Sequence, residues 1–133
     1  MIYVTLKDNT ELTYNTFEEI LDYDKIIKLN CGHNFLARLP PLIGNLINLE
    51  ELICSKNRLI ELPNKVNRLS GCKLWRPESI GNLINLKVLC CYSNQLTSLP
   101  DSICNLINLK EFNCSSNQLT TLPESIGYLE YTN

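Results

Sequence analysis

The feature that most constrains the fold of this chain is an internal repeat with a 23-residue period. Successive members of a proline series, at Pro40, Pro63, Pro77, Pro100 and Pro123, differ in position by 23, 14, 23 and 23. Successive members of an asparagine series, at Asn34, Asn57, Asn94 and Asn117, differ in position by 23, 37 and 23. The asparagine interval of 37 is the sum of 23 and 14, so it contains the same irregularity as the proline interval of 14. A chain with two such series in one register is expected to fold as a stack of similar units.

Each unit reads L-x-x-L-x-C-x-x-N-x-L-x-x-L-P-x-x-I-x-x-L-x-x. The four clear units begin at Ile26, Leu49, Leu86 and Leu109. Side chains of a strand alternate between its two faces, so Leu29 and Cys31 are predicted to point inward while Lys28 and Asn30 point outward. One strand per unit, all in the same direction, predicts a parallel sheet with strands about 4.8 Å apart. The asparagine that follows each strand is predicted to satisfy backbone groups at the turn.

This pattern resembles the leucine-rich-repeat family, specifically its 23-residue class with LPxxIxxL on the outer side. The resemblance covers about residue 20 to the C-terminus. It implies an α/β fold: a right-handed solenoid with a parallel β-sheet on the concave face and loops, 3₁₀ turns or short helices on the convex face. It also implies a structural asparagine ladder, formed by Asn34, Asn57, Asn94 and Asn117.

The chain is expected to form a single domain over residues 1–133. Residues 1–25 are predicted to be a cap-like hairpin and short helix, and residues 26–133 to be repeats interrupted at 64–77. Either that segment is extruded as a loop, or Cys72 to Trp75 forms an abbreviated rung. Extrusion is favoured because a surface loop adds little closure entropy. A ladder between residues 52–54 and 89–91 is its structural signature.

Composition argues against several functional classes. The net charge of −2 and a pI near 5.4, without a lysine or arginine cluster, disfavour nucleic acid and membrane as partners. No cysteine spacing typical of a metal site occurs, so no metal or cofactor is expected. His33 is the only histidine, and no nucleophile or carboxylate is predicted beside it. No catalytic residues are predicted, and the chain is expected not to be an enzyme.

The cysteines are predicted to serve packing. Four of them share the inward position after the second leucine of each unit, at Cys31, Cys54, Cys91 and Cys114. Free cysteine behaves as a small buried hydrophobe. Cys90 is predicted to face the opposite way and to lie on the exposed side of the sheet.

The open face of the sheet is the predicted site of function. Its outward positions vary from unit to unit, with an apolar middle and polar flanks, as protein interfaces have. The expected contacts are Lys28, Asn30, His33, Glu51, Ile53, Lys56, Val88, Cys90, Tyr92, Glu111 and Asn113. They predict a non-enzymatic module that binds another protein on its concave sheet. Two alternatives stay open: a regulator, inhibitor or targeting adaptor of an enzyme, and a decayed fragment of a longer repeat array.

Localisation and origin are also expectations. The start of the chain lacks the pattern of a signal peptide, and an odd number of cysteines suggests reduced thiols, so the cytoplasm is expected. The richness in Ile, Asn, Lys and Tyr resembles proteins of AT-rich genomes, such as large amoebal viruses or their hosts, which would make this a viral protein in the host-cell cytoplasm. Because no polar cap follows the outer segment from Leu122 to Asn133, self-association through the C-terminal end is a further expectation.

Overall fold

The computed structural model describes residues 1–67, 76–124 and 126 of the chain. These residues form the strands β1 (Ile2–Leu6), β2 (Glu11–Tyr14), β3 (Ile26–Asn30), β4 (Glu51–Ile53), β5 (Asn64–Asn67), β6 (Arg76–Ser79), β7 (Val88–Cys90) and β8 (Glu111–Asn113). Six of them form one sheet with the order β2-β1-β3-β4-β7-β8, and β5 and β6 form a separate pair.

The four strands of the repeat units are parallel and share one register. Leu29 aligns with Leu52 between β3 and β4, and Leu52 aligns with Leu89 between β4 and β7. Leu89 in turn aligns with Phe112 of β8. Equivalent positions of successive units therefore form straight rows across the sheet, as the repeat period predicts.

Five short 3₁₀ helices occupy the outer side of the described units. They are η1 (Phe17–Glu19), η2 (Tyr23–Lys25), η3 (Pro41–Asn45), η4 (Ile80–Asn82) and η5 (Asp101–Asn105). The repeated proline stands immediately before η3 and η5, where its carbonyl accepts from the amide of Ile43 or Ile103. Proline suits this position because its fixed φ fits the start of the turn and because no backbone N–H donor is needed there.

The core lies between the sheet and these helices. Within the unit that contains β4, the inward side chains of Leu52, Cys54 and Leu59 are fully buried, as are Ile43 and Leu46 from the preceding outer segment. In the strands, burial alternates with period two, because Leu52 is inside and its neighbours Glu51 and Ile53 are only half-buried. No buried side-chain nitrogen or oxygen in the described residues lacks a hydrogen-bond partner.

The irregularity between the second and third units does not interrupt the sheet. β4 pairs directly with β7, with Leu52 opposite Leu89, and the Cys54 amide donates to the Cys90 carbonyl at 2.8 Å. This is the ladder that extrusion requires. The ends of the inserted segment, β5 and β6, pair with each other in antiparallel fashion, which was not predicted. Cys72 and Trp75 lie outside the described residues.

The N-terminal residues extend the sheet with a hairpin. β1 and β2 are antiparallel, and β1 also pairs antiparallel with β3, with Val4 opposite Leu29. The predicted short helix consists of two separate 3₁₀ turns, η1 and η2. Thr16 precedes η1 without a side-chain capping bond, whereas the Glu19 carboxylate accepts from the Asn15 amide at 3.0 Å. The hairpin buries Ile2, Val4 and Leu6 against the first unit.

Candidate functional site

A column of asparagine side chains supports the carboxyl ends of the strands. The Asn57 amide nitrogen donates to the carbonyl oxygens of Cys31 and Cys54 at 2.9 and 3.0 Å, and its Oδ1 accepts from the Asn34 and Leu36 amides. Asn94 and Asn117 repeat this arrangement one unit further on each time. Asn34, at the first unit, instead bonds the backbone carbonyl of Met1. Asn57, Asn94 and Asn117 thus each join two successive units, whereas Asn34 joins the first unit to the N-terminal residue.

A second column of asparagines, which was not predicted, lies at the other end of the strands. The amide nitrogens of Asn48, Asn85 and Asn108 donate to the carbonyls of Asp24, Ile47 and Ile84, at 2.8, 2.8 and 2.7 Å. The repeated Ile-Asn-Leu triplet was its signal. Side-chain hydrogen bonds between units therefore hold the strands of the described sheet at both of their ends, which makes the sheet a rigid platform.

Eight of the predicted contact residues form two rows across this platform. The first row, in register across the four parallel strands, is Lys28, Glu51, Val88 and Glu111. The second row is Asn30, Ile53, Cys90 and Asn113. Ile53, Val88 and Cys90 are half-buried by their neighbours and form the apolar centre.

The remaining three predicted residues lie on the rim beyond the strand ends. His33 and Lys56 occupy equivalent positions and have φ values of 59° and 53°, in the left-handed region. Ser93 and Ser116 share that conformation in the later units. Lys56 Nζ lies 5.9 Å from the centre of the Tyr92 ring, which places a cation on the aromatic face next to the apolar centre.

Several polar residues of the face already have local partners. Lys28 Nζ and Glu51 Oε2 form an ion pair of 3.2 Å between neighbouring strands. Asn30 Oδ1 accepts from the Gly32 amide, and Asn113 Oδ1 accepts from the Ser115 amide and hydroxyl. These two asparagines therefore stabilise the turns after their strands, and their amide nitrogens are the groups they present to a partner.

The face extends beyond the residues predicted from the repeats. Because β1 pairs with β3, Tyr3 lies opposite Asn30 on the open side and is 52% exposed. On the rim, the Arg58 guanidinium lies 5.1 Å from the centre of the Phe35 ring, and the Phe35 side chain is 74% exposed. Tyr3 could not be found from the repeat pattern because it lies outside the repeats. Arg58 and Phe35 occupy equivalent positions of successive units, so their contact could have been predicted from the repeat.

The cysteines divide between the core and the face. Cys31, Cys54 and Cys91 are fully buried, and burial raises the pKa of the Cys31 thiol to about 12 and that of the other two thiols as well. Cys114, which was expected to be equally buried, is only half-buried because it follows β8, the last strand of the described sheet. Cys90 lies on the open side, where partial burial and the nearby carboxylates of Glu111 and Glu51 raise its thiol pKa.

Cys90 and Cys91 provide a direct measure of which side of the sheet is open. We expect a thiol-alkylating reagent to modify Cys90 of the native protein about a hundredfold or more faster than Cys91, because Cys91 reacts only after strands separate. Fragment-ion mass spectrometry of the peptide that carries both residues measures the two rates. Unfolding in denaturant should equalise them, and equal rates in the native protein would contradict the assigned faces.

No catalytic or metal-binding arrangement emerges from the part of the chain that the structure describes. There, no three histidine, cysteine, aspartate or glutamate side chains are grouped as metal ligands. His33 is exposed at the rim, and its backbone amide donates to the Ser55 carbonyl. None of the described helices has the length and apolar character needed to cross a bilayer.

Comparison with known proteins agrees with this architecture. Residues 84–127 match the family model for leucine-rich repeats in two copies. A leucine-rich-repeat protein of Leptospira interrogans superposes with a TM-score of 0.68 and 37% sequence identity, covering 83% of this chain and 25% of that protein. The chain therefore contains leucine-rich repeats and has the solenoid fold of leucine-rich-repeat proteins.

Curated relatives share the repeats over part of their length. The volume-regulated anion channel subunit LRRC8A of Rattus norvegicus is 35% identical over 66 residues, which is 47% of this chain and 8% of the subunit. Subunit LRRC8E of Homo sapiens is 36% identical over 72 residues, or 52% of this chain and 9% of the subunit. The chain thus matches only a small part of these relatives. Leucine-rich-repeat domains generally mediate protein–protein interaction and are typically not enzymes.

Proposed function

We propose that this chain is a non-enzymatic recognition module that binds a partner protein on its concave sheet face. The observation that carries this proposal is the apolar centre of Ile53, Val88 and Cys90, which the register places in adjacent positions beside the Tyr92 ring. A central apolar and aromatic patch with a polar rim is the arrangement in which protein interfaces concentrate their binding energy.

The rigidity of the sheet supports the same function. Side-chain bonds at both strand ends hold the units in one register, so a partner meets a preformed surface and little ordering entropy is lost on binding. The continuous pairing of β4 with β7 favours a working module over a decayed array, because the insertion leaves the face intact. The free thiols buried in the described core support our further proposal that the chain acts in a reducing compartment such as the cytoplasm.

The test is affinity capture with the full chain as bait, followed by mass spectrometry. We expect the double variant Ile53→Ala and Tyr92→Ala to capture its partner at least about tenfold less than the natural chain, because central interface residues cost about 2 kcal/mol or more each. Circular dichroism should show that the variant is folded.

The matched control removes apolar surface from another side of the molecule. Ile84 and Ile107 lie in the turns before β7 and β8 and are 53% and 78% exposed. Replacing both with alanine should leave capture unchanged. Equal capture by all three proteins would contradict the concave site.

A further inference from the structure

The rim of the sheet carries cations that are held on aromatic rings and have no carboxylate partner. Lys56 lies over Tyr92, and Arg58 lies over Phe35. Lys25, Lys28, Arg38 and Lys87, in contrast, each form an ion pair. Among the side chains described for residues 1–63 and 80–124, no carboxylate forms an ion pair with Lys56 or Arg58. The unit of β4 therefore presents two positive charges at the rim of the face.

An aromatic ring positions a cation without neutralising it. The ring covers one side of the group, while the N–H donors on the other side remain available to a negatively charged acceptor. A guanidinium in this position can hold a carboxylate through two parallel hydrogen bonds. Lys56 and Arg58 are both exposed, so an acceptor from outside can reach them. His33, at the position equivalent to Lys56 in the preceding unit, adds a third nitrogen-bearing group to this edge.

Positive and negative charges lie on different parts of the face. Lys56 and Arg58 belong to the unit of β4, whereas Glu111 is exposed on β8 and has no ion pair among the described residues. The apolar centre lies between them. A partner that matches this face therefore carries negative charge at one end and an apolar residue in the middle, and it lacks negative charge at the end near β8.

We propose that the concave face recognises an extended acidic segment of a protein partner. Its carboxylates bind Lys56 and Arg58, and an apolar side chain of the segment packs on Ile53 and Tyr92. This inference rests on the proposed function, whose site it deepens by stating the chemistry of the partner. Peptide carboxylates are favoured over a phosphate backbone because nucleic acid requires a broad cationic surface and carries negative charge along its whole length, so it would also meet Glu111. A peptide can confine its carboxylates to the end near Lys56 and Arg58.

The experiment uses the full chain and a fluorescein-labelled peptide in which a run of glutamates precedes a phenylalanine and a leucine. We expect saturable binding by fluorescence anisotropy, and binding about tenfold or more weaker for the double variant Lys56→Gln and Arg58→Gln, since both charge contacts are lost. The charge-matched control Lys7→Gln and Lys110→Gln should change affinity less than about twofold, because Lys7 follows β1 and Lys110 precedes β8, at the end of the sheet opposite to the rim.

A variant with reversed charges distinguishes the loss of charge contacts from a loss of folding. The variant Lys56→Glu and Arg58→Glu should reject the acidic peptide and bind a peptide in which lysines replace the glutamates. Absence of binding to the acidic peptide, equal binding by the glutamine variant, or equally tight binding of a single-stranded oligonucleotide of the same charge would overturn the proposal. If the captured partner is lost with the Ile53 and Tyr92 variant but kept by the glutamine variant, the recognition function stands and the acidic-segment inference fails.

Discussion

Replacing Asn94 with alanine is expected to lower the free energy of unfolding by about 3 kcal/mol, because a buried backbone group left without a partner costs about 1 to 3 kcal/mol. The Asn94 side chain serves three such groups. Its amide nitrogen donates to the carbonyls of Cys54 and Cys91, at 3.1 and 3.0 Å, and its oxygen accepts from the Leu59 amide at 3.0 Å. Asn94 is only 8% exposed, so water cannot readily replace all three bonds.

Gln95→Ala is the matched control for this change. Gln95 is adjacent in sequence but exposed, and its backbone amide donates to the Leu59 carbonyl irrespective of the side chain. We expect its stability to stay within about 0.5 kcal/mol of the natural chain. Urea denaturation followed by circular dichroism measures both variants. Equal midpoints for the two variants would contradict the structural role assigned to the asparagine.

The repeat units were predictable because their period imposes the same contacts on each unit. Once Leu29 and Leu52 occupy equivalent positions one period apart, parallel pairing in register follows, and so do the faces to which their neighbours point. The pairing of Leu52 with Leu89 followed from the same logic, because it restores the period after the insertion. Periodicity thus replaces the long-range information that a single sequence usually lacks.

The parts outside the period were less predictable. A hairpin over residues 2–14 followed from local alternation, but its antiparallel pairing with β3 is a long-range contact with no repeat to indicate it. The antiparallel pairing of β5 with β6 joins the two ends of the inserted segment, a contact that the repeat does not indicate. In the hairpin the local pattern indicated a strand but not its second neighbour, and at the insertion it indicated neither.

The candidate site shows the same division. The eight strand residues of the face were assigned from alternation alone, because register fixes their rows. Tyr3 was missed because it belongs to the hairpin. The bond of Asn48 to the Asp24 carbonyl was missed although the repeated Ile-Asn-Leu triplet was a signal for it. The identity of the molecule that binds these rows could not be predicted, because the repeat period carries no information about a partner.

Leu89→Ala is expected to lower the free energy of unfolding by about 2 to 5 kcal/mol, because it removes a fully buried side chain and leaves a cavity. Leu89 aligns with Leu52 on one side and Phe112 on the other, so its loss weakens the contact between the second and third units and between the third and fourth. In a solenoid, where each unit contacts only its neighbours, this should also accelerate hydrogen exchange in the units that follow. Val88→Ala, on the half-buried opposite side, should cost about 1 kcal/mol or less. A Val88→Ala loss as large as that of Leu89→Ala, measured by chemical denaturation, would contradict the alternation on which both the core and the binding face depend.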